Sequence, residues 1–297
     1  MSPYRIALVA ALVVAVTGCT GDPAPEQPEV AAAPSSSPSP SPSPSASSSD
    51  TVLHGAATGR TYRVRLAGDQ TRITMTGGPG ETLREDVAVA GRYVAPQVVP
   101  GGPLEGLSPN GRWLVLESHA PAPAERSVFL ILTGRLGLER DTLDLPGRFT
   151  FDAWAPDGSV LYLIEHKPPA ASGHYVVRAY DMQKQALRPD PVADKRNVGE
   201  QMAGRPVARA ATPDNAVVAT LYVRQGDGDE HGPFVHLLYA ADGQALCVDL
   251  PPGTPVGTSS KLEYLSGSFL VLPGAPGRTD FRIDPVSGEL TPAPEQG

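Results

Sequence analysis

One short pattern occurs three times in this chain, and it restricts the fold more than anything else in the sequence. Ser108-Pro109-Asn110-Gly111 runs into Trp113-Leu114-Val115-Leu116, and Ala155-Pro156-Asp157-Gly158 runs into Val160-Leu161-Tyr162-Leu163. A third copy, Thr212-Pro213-Asp214-Asn215, runs into Val217-Val218-Ala219-Thr220-Leu221, with Asn215 standing where the other two have Gly. Each reads as a tight turn that opens an apolar strand. Proline presets φ for the second turn position, Asp or Asn bonds back to nearby backbone, and Gly or Asn tolerates positive φ. Pro109, Pro156 and Pro213 lie 47 and 57 residues apart, a spacing that suits one repeating four-stranded unit.

The remainder of the composition agrees with many short strands. The 297 residues contain 33 Pro and 31 Gly, which punctuate the chain too often for long helices. The length is enough for a full all-β domain with a buried core. The formal net charge of −8 makes the chain a poor partner for a phosphate backbone, so nucleic acid is set aside.

The N-terminal segment reads as an address. Arg5 supplies a positive n-region, and Ile6 to Val16 is an unbroken apolar run. The run is short for a membrane span, which needs ~20 residues, but it fits a signal-peptide h-region. Val16-Thr17-Gly18-Cys19 follows directly and resembles the bacterial lipobox. The resemblance implies a signal peptide over residues 1–18, cleavage before Cys19, and a diacylglycerol thioether on the Cys19 thiol. The expected location is the outer face of the cytoplasmic membrane, with membrane attachment through the N-terminal lipid. The other cysteine, Cys247, lies in the apolar run Ala245-Leu246-Cys247-Val248 and is expected to be buried as a small hydrophobe.

Residues 19–50 form a tether. Ser35 to Ser49 is nearly pure Ser and Pro, with no side chain large enough to build a core, so it is expected to be disordered and extended. The folded domain is expected over 51–297. Thr61 to Leu66 and Thr71 to Met75 alternate with period two around Gly68-Asp69-Gln70, a hairpin signal. Ser127 to Leu132 reads as a strand buried on both faces. Arg112 to Trp154 reads as one four-stranded unit that ends just before the second turn copy. The last unit, from Ser268, is expected to lack its outer strand and to borrow one from the start of the domain.

The turn copies resemble the repeat of TolB-type and WD40-like β-propellers, with Trp154-Ala155-Pro156-Asp157-Gly158 the nearest match. The resemblance spans roughly residues 100–290 and implies an all-β chain, a β-propeller of about five or six small antiparallel blades. It also implies a non-catalytic binding platform that offers a face to a protein or cell-wall partner.

Motifs that carry chemistry are few in this sequence. Gly106-Leu107-Ser108-Pro109 is the nearest approach to Gly-x-Ser-x-Gly and is already explained as a turn. There is no His-Glu-x-x-His and no cysteine pair, so no metal, no cofactor and no catalytic residue is assigned. His54, His119, His166, His174, His231 and His236 are scattered singly and are expected mostly at the surface or in loops. Asp227 to His231 is the densest acidic spot and reads as a solvated loop. The alternative function is a propeller enzyme, such as a lactonase, a quinoprotein dehydrogenase or a glycoside hydrolase-like protein. It would need carboxylates or histidines converging at the channel from several blades.

Overall fold

The computed structural model describes residues 50–55, 58–77, 84–119, 125–133, 140–169, 173–194, 196, 202–224, 232–274 and 279–293. Cys19, its apolar leader, the Ser/Pro tether and the acidic loop at Asp227 to His231 lie outside them. Among the described residues the chain is all-β, and no helix occurs.

Among the described residues twenty-one strands form five antiparallel sheets in chain order. The first contains β1 (Asp50–Gly55), β2 (Arg60–Ala67), β3 (Gln70–Thr76) and β4 (Arg84–Ala90). The second contains β5 (Tyr93–Val94), β6 (Trp113–Ser118), β7 (Arg126–Thr133) and β8 (Arg140–Pro146). The third contains β9 (Arg148–Trp154), β10 (Val160–His166), β11 (His174–Asp181) and β12 (Ala186–Leu187), with β13 (Met202–Ala203) also paired to β11. The fourth contains β14 (Arg205–Ala211), β15 (Val217–Val223), β16 (Phe234–Tyr239) and β17 (Gln244–Asp249). The fifth contains β18 (Lys261–Leu265), β19 (Ser268–Leu272), β20 (Phe281–Ile283) and β21 (Leu290–Pro292).

The three turn copies have one geometry. The amide of the fourth residue bonds the carbonyl of the first in each: Gly111 to Ser108 at 2.8 Å, Gly158 to Ala155 at 2.9 Å and Asn215 to Thr212 at 2.8 Å. Asn110, Asp157 and Asp214 each accept from the amide two residues on, at 2.9, 2.9 and 3.1 Å. Gly111, Gly158 and Asn215 all have positive φ, at 65°, 69° and 56°. Asn215 therefore does the work of the missing glycine, as Asn can in the left-handed region. Asp157 and Asp214 are turn formers. Neighbouring turns also touch, because the Asn110 side-chain amide donates to the Asp157 carbonyl.

Two expectations about strand phase are corrected. The turn does not open a sheet; it joins the first strand to the second, so Arg148–Trp154 belongs to the third sheet rather than closing the second. The fifth sheet also completes itself, since β21 pairs β20, while β1 pairs β2 within the first sheet. Among the described residues no strand from the start of the domain joins the fifth sheet.

Four apolar clusters join consecutive sheets. Tyr62, Ile73 and Met75 of the first pack with Leu114, Leu116 and Leu130 of the second. Val115, Phe129 and Ile131 of the second meet Phe151, Trp154 and Leu163 of the third. Tyr162, Tyr175 and Val177 meet Tyr222, Phe234 and Leu238, and Leu221, Leu237 and Leu246 meet Phe269, Val271 and Ile283. Strand β7 serves two clusters, Leu130 on one face and Phe129 on the other, which accounts for its unbroken apolar run. Among the described residues none of these clusters joins the first sheet to the fifth, and the face of the first sheet turned away from the second carries Arg63, Arg65 and Arg72. Cys247 is partly exposed rather than buried and packs against the edge of its cluster.

Candidate active site

The first strands of several sheets converge on one cavity of ≈ 600 Å³. Its walls come from Leu53 and His54 of β1, the segment from Pro103 to Pro109, Phe151 and Trp154 of β9, and Arg209 of β14 with Asn215 and Val218 beyond it. Trp154 anchors the wall by donating its indole N–H to the Gly106 carbonyl at 2.9 Å. Gly106 has φ of 106°, and a Cβ there would strike the Val115 carbonyl and the Pro96 ring. The tight passage at Gly106 fixes the preceding residue, Glu105, whose amide bonds the Pro96 carbonyl at 2.8 Å.

Glu105 belongs to a buried ionic cluster. Arg209 places Nε 3.2 Å from the Glu105 carboxylate and Nη1 2.9 Å from the Asp152 carboxylate. Nη1 also donates to Thr220 Oγ1 at 2.9 Å, and Nη2 donates to the Asp152 carbonyl. The Arg209 and Asp152 side chains are 7% and 3% exposed, while Glu105 is 24% exposed. Arg209 and Asp152 are thus interior supports, and Glu105 is the acid of the three that reaches the cavity. Burial pushes the Glu105 carboxyl above its ordinary value, Arg209 opposes this, and Asp152 adds to it. His54 also lines the cavity and is held by a 3.1 Å contact between Nδ1 and Thr61 Oγ1. An acid and an imidazole lining one cavity are groups that proton transfer can use.

Sequence reading placed none of these residues at a site. Asp152 and Arg209 are interior residues of β9 and β14. The available signal was a charge interrupting an apolar first strand, at Phe151-Asp152-Ala153-Trp154 and at Ala208-Arg209-Ala210. Of the described histidines, His54, His119 and His174 are exposed as expected, and the clear departure is His236. His54, His166, His174 and His236 lie in strands, and His236 is only 2% exposed. Ser108 is buried within its turn, accepting from the Trp113 amide at 2.8 Å and donating to Asn110 at 2.9 Å, as a turn residue should.

No family model and no curated protein matches the chain, so the TolB-type and WD40-like resemblance rests on the turn copies alone. Solved structures do align. A prolyl endopeptidase is 14% identical over 82% of this chain with a TM-score of 0.47, and an acylaminoacyl peptidase of Pyrococcus horikoshii is 8% identical over 83% with a TM-score of 0.48. This chain covers 36% and 38% of those two chains, so it spans well under half their length. An uncharacterized protein of Listeria monocytogenes EGD-e aligns over 83% of both chains, at 12% identity and a TM-score of 0.40. Peptidases and a puromycin hydrolase stand among these structures. The expectation of a non-catalytic binding platform, with no enzyme activity, is corrected on the site itself, where the charged groups Glu105, Asp152 and Arg209 gather beside the cavity.

Proposed function

We propose that the five sheets are the blades of a β-propeller and that the cavity at Glu105 is the active site of a hydrolase of the glycosidase or lactonase kind. The supporting observation is the placement of Glu105. It lies where first strands of several sheets meet, reaches a cavity, and has a carboxyl raised by burial while Arg209 and Asp152 fix its position. A carboxyl raised in this way holds its proton nearer neutral pH and acts as a general acid towards a leaving oxygen. His54 Nε2 takes the proton from the attacking water. Water thus adds across the scissile bond, with one proton passing to the leaving group from Glu105 and one to His54. A panel of chromogenic glycosides, lactones and esters tests this directly. Turnover of at least one class, falling about 100-fold or more in Glu105→Gln, is expected; no turnover anywhere in the panel contradicts it.

The chain is further read as a lipoprotein held through Cys19 on the outer face of the cytoplasmic membrane. The support is the apolar run Ile6 to Val16 followed by Val16-Thr17-Gly18-Cys19. Each buried CH₂ contributes about 0.8 kcal/mol, so several acyl chains hold a protein firmly. Cys19→Ala is expected to lose metabolic labelling by fatty acid, and continued labelling of that variant refutes the anchor.

A further inference from the structure

A second cavity, of ≈ 290 Å³, lies between the second, third and fourth sheets and shares only the Phe151 wall with the one at Glu105. Charge is arranged along its depth. Glu117, at the end of β6, is partly buried, and its carboxylate accepts the Phe151 amide at 2.5 Å. Arg148 and Arg205 begin β9 and β14, line the same cavity and are exposed. Neither guanidinium has a hydrogen-bond or ion-pair partner among the described residues, whereas Arg65, Arg72 and Arg178 are each paired with a carboxylate. An acid held inside, with two cations at the rim, is a dipolar arrangement that none of the described residues completes.

We propose that this cavity binds a small zwitterion, a free α-amino acid, with its ammonium at Glu117 and its carboxylate between Arg148 and Arg205. The remaining wall fits that ligand. Thr150 Oγ1 lies 3.0 Å from His166 Nε2 and fixes the ring. Burial and the Arg148 charge push His166 down to about 4, so a neutral ring faces the ammonium without opposing it. Tyr222 offers an apolar surface stiffened by stacking on Tyr175 and Phe234, with centroids 5.2 and 5.1 Å away. The volume falls at the lower limit of small-molecule sites, which run from about 300 Å³ upward. Guanidinium groups pair readily with carboxylates, and an interior acid that gains an ammonium no longer bears its charge alone. The inference does not rest on the hydrolase reading.

Calorimetric titration of the full chain with L-leucine, N-acetyl-L-leucine and L-leucinamide tests it. L-leucine is expected to bind at least tenfold more tightly than either derivative, because each derivative removes one charge. Glu117→Gln and the double variant Arg148→Ala/Arg205→Ala are each expected to weaken leucine binding about tenfold or more. Should Glu117→Gln fail to fold, the exposed double variant and the three-ligand comparison decide alone. N-acetyl-L-leucine binding as tightly as leucine marks a plain anion site and overturns the proposal. Leucinamide binding as tightly, absence of leucine binding, or unchanged affinity in the variants overturns it equally.

Discussion

Arg209, on the first strand of the fourth sheet, donates from Nη1 to the Asp152 carboxylate of the third sheet at 2.9 Å, and both side chains are almost wholly buried. The pair ties two sheets together at the wall of the cavity and holds the cation that Glu105 faces. A buried pair of this kind contributes little net stability when intact, because desolvation offsets attraction, but losing one partner strands a charge in the interior.

Asp152→Ala is therefore expected to lose about 3–5 kcal/mol of unfolding free energy. The double variant Asp152→Leu/Arg209→Met removes both charges of the pair and is expected to show roughly half of that loss or less. Urea denaturation of both variants checks the direction.

Gly106→Ala is expected to destabilise by about 1–3 kcal/mol and to displace Glu105. The position has φ of 106°, and a methyl group there meets the Val115 carbonyl and the Pro96 ring. Gly68→Ala is the control, for its φ is 65° but nothing lies within 4 Å of its added carbon. Thermal melts should show the larger loss at Gly106, and equal losses at the two sites refute the steric reading.

Stability should fall as acid is added through a definite window. His166 ordinarily titrates at 6.5 and is pushed down to about 4 by burial and by Arg148, and burial lowers His236 in the same direction. Above pH 6.5 the His166 ring is neutral whether the chain is folded or not. Between 6.5 and 4 the unfolded chain takes up a proton that the folded chain refuses, so stability declines across that interval. His166→Gln is expected to lose less stability than the unaltered protein between about pH 7 and about pH 4.5. Equal losses would show that His166 does not govern the window.

Much of the architecture is legible in the residues. The proline-led turns announce where strands start, and Asn215 reproduces the glycine geometry because its side chain tolerates positive φ. The alternation of Thr61 to Leu66 and of Thr71 to Met75 gives the β2–β3 hairpin in the observed register. Sheet membership is not legible, because a strand pattern does not state which neighbour it pairs with. Arg148–Trp154 reads equally well as the end of one sheet or the beginning of the next, and packing decides. The site is hidden for a related reason. Glu105 sits in the irregular stretch Pro100-Gly101-Gly102-Pro103-Leu104-Glu105, which reads as a surface loop. Only the tertiary approach of Asp152 and Arg209, from sheets distant in sequence, makes it a partly buried acid.

The pH dependence of kcat/KM for a hydrolysed substrate, measured on the unaltered protein and on Glu105→Gln, bears most directly on the role of Glu105. A group that must be protonated to act, and whose carboxyl is raised by burial, should give a rate that falls as pH climbs through a value above the ordinary 4.5. The variant should lack that limb and turn over about 100-fold more slowly or worse. A variant that retains both the limb and the rate would show that Glu105 is structural and that the cavity is not the active site.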